Sequence, residues 1–125
     1  DAGCGTGAMT EELARRGATV TAADISPKLV EIARDRLPDA LRPQVSFHAG
    51  DMTDPALGRF DHVVAMDSLI YYDAADIART LHALGKRSGA VIFTVAPRTA
   101  LLMAMWHAGK LFPRADRSPV MIPHG

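Results

Sequence analysis

The first seven residues, Asp1 to Gly7, form a loop that could hold a nucleotide-containing cofactor. Glycines at positions 3, 5 and 7 leave one side of this backbone without Cβ atoms. Such a loop turns tightly between a strand and a helix, and it lets an adenosine-bearing molecule approach the main chain. Gly3, Gly5 and Ala8 also satisfy the G-x-G-x-x-G/A pattern of dinucleotide-binding domains. The glycines alone therefore do not decide between cofactors.

Two acids near the loop bear on which cofactor it could bind, and only Asp1 distinguishes between the candidates. Asp24 lies 21 residues after Gly3, where these folds place the carboxylate that binds ribose hydroxyls. That carboxylate serves any adenosine cofactor, because a cis-diol offers two donors to one anionic acceptor. Asp1 is more selective, since a carboxylate at the entrance of the loop suits a cationic cofactor and would repel a pyrophosphate on the helix N-terminus. Asp1 therefore favours an amino acid with a sulfonium over a dinucleotide.

Two further acids follow later predicted strands. In Gly50-Asp51-Met52, the acid could accept from an adenine amino group and the methionine could pack on the ring. Asp67 begins the segment DSLIYY after the next strand. Ligands of open α/β sheets collect outside the carboxyl ends of the strands, and all four acids fall at such ends. Each acid alone could be a loop or cap residue, but four in register indicate a binding site.

The elements that must position these acids alternate between short apolar strands and helical segments, which predicts a parallel sheet built from βαβ units. Ser26-Pro27 is a typical helix start, and Gly17 is a typical helix stop. The expected fold class is α/β, a Rossmann-like doubly wound sheet. Predicted strands cover residues 19–24, 45–49, 61–66 and 90–96, the last expected to be buried on both faces, and predicted helices cover 9–16, 26–37, 77–84 and 99–111.

The position of the loop at residue 1 leads us to expect a fragment. The strand that should precede the loop is not in the sequence, and further strands should follow residue 125. We therefore interpret residues 1–125 as one cofactor-binding domain truncated at both ends. Because its sheet would have open edges and an incomplete core, we expect these residues alone to fold poorly and to show negligible turnover.

Composition excludes several classes of protein. A formal net charge of zero argues against a nucleic-acid binder, which would carry a basic excess. The one cysteine, Cys4, excludes a disulfide framework and is compatible with a reducing cytoplasm; we interpret it as a small residue in a crowded loop rather than a nucleophile. No spacing of histidines, cysteine and carboxylates predicts a metal site. No apolar run approaches the roughly 20 residues that span a bilayer.

The balanced charge hides an asymmetry along the chain. Residues 1–85 contain eight Lys or Arg and thirteen Asp or Glu, whereas residues 86–125 contain six and one. The basic C-terminal part could be an ordinary solvated surface or a site for an anionic substrate. The sequence leaves both interpretations open.

The glycine loop DAGCGTG, the acid Asp24, the triplet GDM and the strand FDHVVAMD together resemble class I S-adenosylmethionine-dependent methyltransferases. The resemblance covers about residues 1–96 and implies S-adenosylmethionine as the cofactor. It implies that the three glycines approach the methionine part, that Asp24 holds the ribose and that Asp51 with Met52 flanks the adenine. The full set of implied cofactor-binding residues is Asp1, Gly3, Gly5, Gly7, Asp24, Ile25, Asp51, Met52 and Asp67.

The segments MDSLIYYD and VIFTVAPRTALLMAMWHAGKLFPRADRSP resemble more specifically the magnesium-protoporphyrin O-methyltransferases of bacteriochlorophyll synthesis. This resemblance implies methylation of a propionate carboxylate on a magnesium porphyrin, with the metal arriving inside the substrate. Residues implied in substrate binding are Arg98, Met105, Trp106, Arg114, Arg117 and His124. The apolar segment around Met105 and Trp106 could equally be core, or could contact a membrane. A cytoplasmic enzyme, with peripheral membrane contact or handover from the preceding pathway enzyme left open, is the expected setting.

The implied reaction needs orientation more than a base. A free propionate has a pKa near that of Glu, about 4.3, and is therefore ionised at pH 7. Tyr71 and Tyr72 are the candidate catalytic residues, because their hydroxyls could donate to this carboxylate; their rings could instead pack over the cofactor. A methyltransferase for a quinone or another small molecule is the alternative. An NAD(P)-binding oxidoreductase module and a cofactor-binding domain without activity are more remote.

Overall fold

A computed structural model of the protein describes residues 1–95 and 100–109, without the side chains of Leu102 and Trp106. Within these residues the chain alternates between strands and helices. The helices are α1 (Ala8–Arg15), α2 (Pro27–Arg36), α3 (Ala74–Gly85) and α4 (Ala100–Gly109). The strands are β1 (Val20–Asp24), β2 (Val45–Ala49), β3 (Phe60–Ala65) and β4 (Ser88–Phe93). Three short 3-10 helices cover Asp39–Gln44, Pro55–Leu57 and Leu69–Tyr71.

Local sequence signals explain where the helices begin and end. The Ser26 hydroxyl accepts from the Leu29 N–H at 3.3 Å, and Pro27 occupies the first turn of α2. The Asp73 carboxylate caps α3 in the same way, accepting from the Asp76 N–H at 2.8 Å. After α1 the chain reverses at Gly17, whose φ of 92° is accessible to glycine at little cost. These boundaries confirm the predicted helices to within a few residues.

The strands form two parallel pairs that residues 1–2 join. Val20 of β1 pairs with Val45 of β2, and Phe60 of β3 pairs with Ser88 of β4. Between the pairs, Ala2 forms a parallel bridge with Ala23, and its N–H donates to the Val64 carbonyl at 2.8 Å. The spatial order is therefore β2, β1, residues 1–2, β3, β4. This confirms the predicted α/β fold with a parallel, doubly wound sheet.

A groove separates β1 from β3 where residues 1–2 do not reach. It encloses about 840 Å³, and its walls include Val20 of β1 together with Phe60 and His62 of β3. Because residues 1–2 pair with both neighbours at the end of this groove, the groove is one strand wide there. The strand predicted to lead into the glycine loop would fit this position, and its presence remains a prediction.

One core cluster lies between β3 and α3. Its buried members include Leu69, which is fully buried, and Ile77 and Leu84 of α3. The sequence predicts residues 90–96 to be buried on both faces, and Ala96 lies outside the described residues. Within the described residues 90–95, Ile92 is 53% exposed and Phe93 is 41% exposed. In the described part of the chain, β4 is an edge strand beside β3, with α3 packed on it, and the side chains of Ile92 and Phe93 stay largely uncovered. That prediction is wrong for the chain as described.

No helix within residues 1–95 and 100–109 combines the length and the apolar character needed to cross a bilayer.

Arg87, directly before β4, holds the loop that follows β2 by hydrogen bonds. Its guanidinium donates to the carbonyls of Thr53 and Asp54, each at 2.7 Å, and its own carbonyl accepts from the Phe60 N–H. The planar fork of arginine suits two adjacent acceptors. One residue thus fixes the loop that carries Asp51 and the entry into β3.

We expect Arg87→Lys to lower the free energy of unfolding by about 1–2 kcal/mol, because a lysine cannot serve both carbonyls with one fixed geometry. Urea unfolding of the variant and the parent measures this. Lys86→Ala is the matched control: Lys86 is exposed, and its loss should change stability by less than about 0.5 kcal/mol. Equal effects of the two substitutions would contradict the role assigned to Arg87.

Candidate functional site

The Asp24 carboxylate and the glycine loop are joined by a direct hydrogen bond. The Gly5 N–H donates to Asp24 Oδ2 at 2.9 Å, and the Ser26 N–H donates to Asp24 Oδ1 at 2.9 Å. Asp24 is largely buried at the end of β1. Each carboxylate oxygen has a second lone-pair direction, so Asp24 can still accept from two hydroxyls of a ligand. The arrangement fits the ribose-binding role predicted for Asp24.

The three glycines of the loop are required for different reasons. All have positive φ, between 53° and 88°. A Cβ on Gly3 would lie 2.2 Å from Cβ of Ser68, and a Cβ on Gly7 would lie 2.9 Å from Cβ of Ala33 in α2. A Cβ on Gly5 would meet no atom within 4 Å. Gly3 and Gly7 therefore serve packing inside the protein, whereas the space beside Gly5 is free for a ligand.

Asp1 is oriented by a residue that the sequence analysis did not identify. The hydroxyl of Thr10, a fully buried residue of α1, donates to Asp1 Oδ2 at 2.7 Å. The Asp1 carbonyl accepts from the Ala23 N–H at 2.9 Å, so the residue is held by its backbone as well. The Asp1 carboxylate therefore stands fixed at the entrance to the glycine loop, as a site for a cationic group requires.

Asp51 and Met52 both make contacts within the protein. Asp51 Oδ1 accepts from the Thr53 N–H at 2.8 Å and from the Thr53 hydroxyl at 2.7 Å. These bonds, the backbone one first, lower the pKa of the Asp51 carboxyl. Met52 packs against the core beneath the sheet. Asp51 thus remains exposed at the predicted adenine side, while the contact predicted between Met52 and the adenine ring remains a prediction.

Asp67 has an unusual backbone at the end of β3. Its φ is 57°, and it is the one residue other than glycine with positive φ in the described part of the chain. This conformation costs an L-residue about 1–2 kcal/mol, although Asp tolerates it better than most. The turn brings the next residue, Ser68, against the glycine loop, where its hydroxyl donates to the Ala2 carbonyl at 2.9 Å. Asp67 therefore borders the loop that Asp1 and Asp24 flank.

The two candidate catalytic tyrosines differ in their surroundings. Tyr71 ends a short 3-10 helix and is exposed. Tyr72 is half-buried and packs against the core cluster. Tyr71 is therefore the more accessible of the two, and the packing alternative fits Tyr72.

Several predicted residues cannot be placed at the site. Arg98, Arg114, Arg117 and His124 lie outside the described residues, as does the side chain of Trp106. Met105 of α4 is 62% exposed, and Ile25, directly after Asp24, is 77% exposed. These two offer apolar surface to a ligand. In the basic C-terminal part, Arg87 is engaged with backbone carbonyls and is not available to an anionic substrate.

Cys4 is buried within the loop. Burial, reinforced by the nearby Asp24 charge, raises the pKa of its thiol from 9.0 to about 11. A thiol of this kind stays protonated near neutral pH and is a poor nucleophile. This agrees with its interpretation as a small packing residue. Residues 1–95 and 100–109 contain no group of three metal-ligating side chains.

The site therefore presents a glycine loop with open space at Gly5, the Asp1 carboxylate at its start, and acids at or just after the ends of β1, β2 and β3. Sequence reasoning missed three hydroxyls that set its geometry: Thr10 on Asp1, Ser68 on Ala2, and Thr94, which bonds to Asp67. Only Thr94 gave a signal in the sequence, as a polar residue inside the apolar run 90–96. Such an arrangement can hold a cationic adenosine compound and present it toward the loop of Asp67 and Tyr71.

We expect Gly3→Ala and Gly5→Ala to separate packing from ligand binding. Gly3→Ala should destabilise the protein by more than about 2 kcal/mol, because the new Cβ collides with Ser68. Gly5→Ala should cost only about 1 kcal/mol for its backbone conformation, yet weaken cofactor binding about tenfold or more. Thermal unfolding and calorimetric titration measure the two effects. Similar profiles for both variants would overturn this distinction.

We expect the stability of the protein to depend on Cys4 at alkaline pH. Because the folded thiol has the higher pKa, its contribution is complete below the unfolded value of 9.0 and is lost as pH rises toward about 11. Over that window the Cys4→Ala variant should lose less stability than the parent, by at most about 3 kcal/mol. Urea midpoints across the window test this. Parallel curves for the two proteins would show that Cys4 plays no part.

Two family models match the chain. The model described as "Methyltransferase domain" matches residues 1–87, and the model described as "Magnesium-protoporphyrin IX methyltransferase C-terminus" matches residues 65–125. Together they cover residues 1–125.

Individual relatives agree with these matches. The chain is 71% identical to magnesium-protoporphyrin O-methyltransferase of Rhodobacter capsulatus, covering 99% of this chain and 56% of the relative. It is 36% identical to the chloroplastic magnesium protoporphyrin IX methyltransferase of Arabidopsis thaliana, over 94% of this chain and 38% of that one. The chain thus spans about half the length, or less, of these curated relatives.

A solved structure matches in three dimensions as well. The magnesium protoporphyrin IX methyltransferase of Synechocystis PCC 6803 with bound SAH superposes with a TM-score of 0.80 at 31% identity, covering 99% of this chain and 56% of the other. Family models, individual relatives and a solved structure therefore agree on the kind of protein this chain resembles. The chain belongs to the methyltransferase domain family, and within that family it is similar to the magnesium-protoporphyrin methyltransferases.

Proposed function

We propose that this chain is the cofactor-binding part of an enzyme that transfers a methyl group from S-adenosylmethionine to a propionate carboxylate of magnesium-protoporphyrin IX. The product is the monomethyl ester, an intermediate on the way to (bacterio)chlorophyll. The observation that carries the proposal is the hydrogen bond between Gly5 and Asp24, which fixes an open, Cβ-free loop beside a ribose-binding carboxylate.

The described residues fit S-adenosylmethionine at three points. Asp24 keeps lone pairs for the ribose hydroxyls, and the free space beside Gly5 admits the chain of the ligand. Asp1, held by Thr10, supplies a fixed negative charge near the entrance of the loop. A fixed carboxylate stabilises a cationic ligand more than a mobile one, because no reorganisation is needed on binding. A dinucleotide would place its pyrophosphate against this same carboxylate.

The residues of this chain mainly position the reactants. When bound, the cofactor supplies an electrophilic methyl group on a positively charged sulfur. A propionate is already ionised near neutral pH, so no residue has to remove a proton. Tyr71 is exposed on the short 3-10 helix after the Asp67 turn, and we propose that its hydroxyl donates a hydrogen bond that orients the propionate oxygen. Alignment of this kind is an established source of rate acceleration.

The identity of the acceptor rests on similarity rather than on the described site. Relatives named for magnesium-protoporphyrin match nearly the whole chain, one of them at 71% identity. A family model named for the same enzyme covers residues 65–125, which include the predicted substrate-binding residues. Exposed Leu101 and Met105 on α4 offer apolar surface that suits a porphyrin face. The magnesium enters with the substrate.

The same apolar surface on α4 bears on where the enzyme works. Its porphyrin substrate is large and mostly apolar, so it needs a route that avoids water. We place the enzyme in the cytoplasm and propose that it receives the porphyrin through peripheral contact with a membrane or by handover from the preceding pathway enzyme. Leu101 and Met105 support such contact. The zero formal net charge gives no support for a nucleic-acid partner.

The full-length protein, incubated with magnesium-protoporphyrin IX and S-adenosylmethionine, should add one methyl group to the porphyrin, detected by mass spectrometry. Asp24→Asn should weaken S-adenosylmethionine binding about 10- to 100-fold, because one acceptor oxygen becomes a donor facing the ribose. Asp35→Asn is the matched control: Asp35 is exposed on α2, and its substitution should leave binding unchanged.

Each alternative predicts a different result in these assays. Methylation of a quinol but not of the porphyrin would replace the substrate and keep the cofactor. Binding of NAD(H) without binding of S-adenosylmethionine would overturn the proposal as a whole. Tight binding of S-adenosylmethionine with no methyl transfer to any acceptor would indicate a cofactor-binding domain without activity.

A further inference from the structure

Thr94 stands directly after β4 and interrupts an otherwise apolar run. Its neighbours from Ala90 to Ala96 are all aliphatic or aromatic. Its N–H donates to the Ala65 carbonyl at 3.2 Å and so extends the ladder between β3 and β4 by one bond. A valine would fill this strand position equally well as far as shape is concerned. The hydroxyl therefore needs an explanation of its own.

That hydroxyl bonds to the turn at Asp67 in two ways. Thr94 Oγ1 accepts from the Asp67 N–H at 2.7 Å, and it donates to Asp67 Oδ1 at 3.2 Å. A hydroxyl can do both because it has one proton and two lone pairs. Asp67 is also the residue with the left-handed φ of 57°. The Thr94 hydroxyl thus contacts the backbone and the carboxylate of the same strained residue.

The turn at Asp67 links the two sides of the site. The next residue, Ser68, lies against Gly3 and bonds to Ala2, and Leu69 is fully buried in the core. Tyr71 follows on the short 3-10 helix. Ser68 and Leu69 hold the far side of the turn, and Thr94 holds its beginning. Without Thr94, the Asp67 N–H would have no protein acceptor among the described residues, and the left-handed conformation would lose its support.

We propose that Thr94 is a positioning residue, which acts through Asp67 to hold that carboxylate and the following loop in the geometry that binds the cofactor. The inference rests on the proposed function for its ligand, S-adenosylmethionine. Asp67 is exposed, and its Oδ2 accepts no hydrogen bond among residues 1–95 and 100–109, so this oxygen is open to a ligand. Thr94 does not touch the ligand itself.

The test uses Thr94→Val, which removes the hydroxyl and keeps the branched shape, and Thr94→Ser, which keeps the hydroxyl. In the full-length protein, Thr94→Val should weaken S-adenosylmethionine binding about tenfold by calorimetry, whereas Thr94→Ser should stay within about twofold of the parent. Amide hydrogen exchange at Asp67 should be faster in Thr94→Val than in Thr94→Ser. If Thr94→Val does not fold, Thr94→Ala removes the same hydroxyl.

A double-mutant cycle with Asp67→Gly separates positioning from a general structural role. Glycine adopts the φ of 57° without strain and has no carboxylate, so Thr94→Val should have a much smaller effect on affinity in that background. Undiminished affinity in Thr94→Val, or an equal loss in both backgrounds, would overturn the inference. A parent that binds no S-adenosylmethionine would refute the proposed function instead, and exchange at Asp67 would still decide whether Thr94 holds the turn.

Discussion

The described structure depends on how a two-residue segment, Asp1–Ala2, lies between β1 and β3. The residues on either side of Ala2 bond to Ala23, since the Asp1 carbonyl accepts from the Ala23 N–H and the Gly3 N–H donates to the Ala23 carbonyl. On the other side, the Ala2 N–H donates to the Val64 carbonyl. Because the two strand pairs do not otherwise form one ladder, these bonds set the distance between them. The glycine loop begins at the next residue. Its position between the two halves of the sheet is therefore fixed by the same bonds that join those halves.

The rest of the site depends on this position of the loop. Backbone bonds place the loop, and carboxylates lie around it. Two hydroxyls then hold the Asp1 and Asp67 carboxylates, and a third holds the Asp67 turn against the loop. Thr10 serves Asp1, Ser68 closes the Asp67 turn on Ala2, and Thr94 supports that turn from β4. A preorganised set of acids suits a cationic ligand, since the protein pays the cost of arranging them on folding rather than on binding.

Much of this could be predicted from the sequence, and the failures have a common physical cause. Helix boundaries and strand positions depend on local signals, such as Ser26-Pro27 and the β-branched runs, and these were predicted correctly. The binding roles of the four acids stay predictions. Side-chain partners far apart in the chain were not predicted. Arg87 bonds to a carbonyl 34 residues away, and Thr94 to a residue 27 positions away. Burial of β4 was predicted wrongly, because exposure depends on which neighbours cover a strand and not on its own composition.

The three loop glycines have one further consequence, for how this site can change over time. Gly3 and Gly7 are constrained by Ser68 and Ala33, so a new side chain at either position requires a second change elsewhere. Gly5 has no such neighbour, and a side chain there would meet only what the loop binds. Of the three positions, residue 5 is therefore the one where a side chain needs no second change in the protein, and it is also the one beside the ligand space. Variation at Gly5 would record a change of cofactor shape, whereas variation at Gly3 or Gly7 would record a rearrangement of the fold.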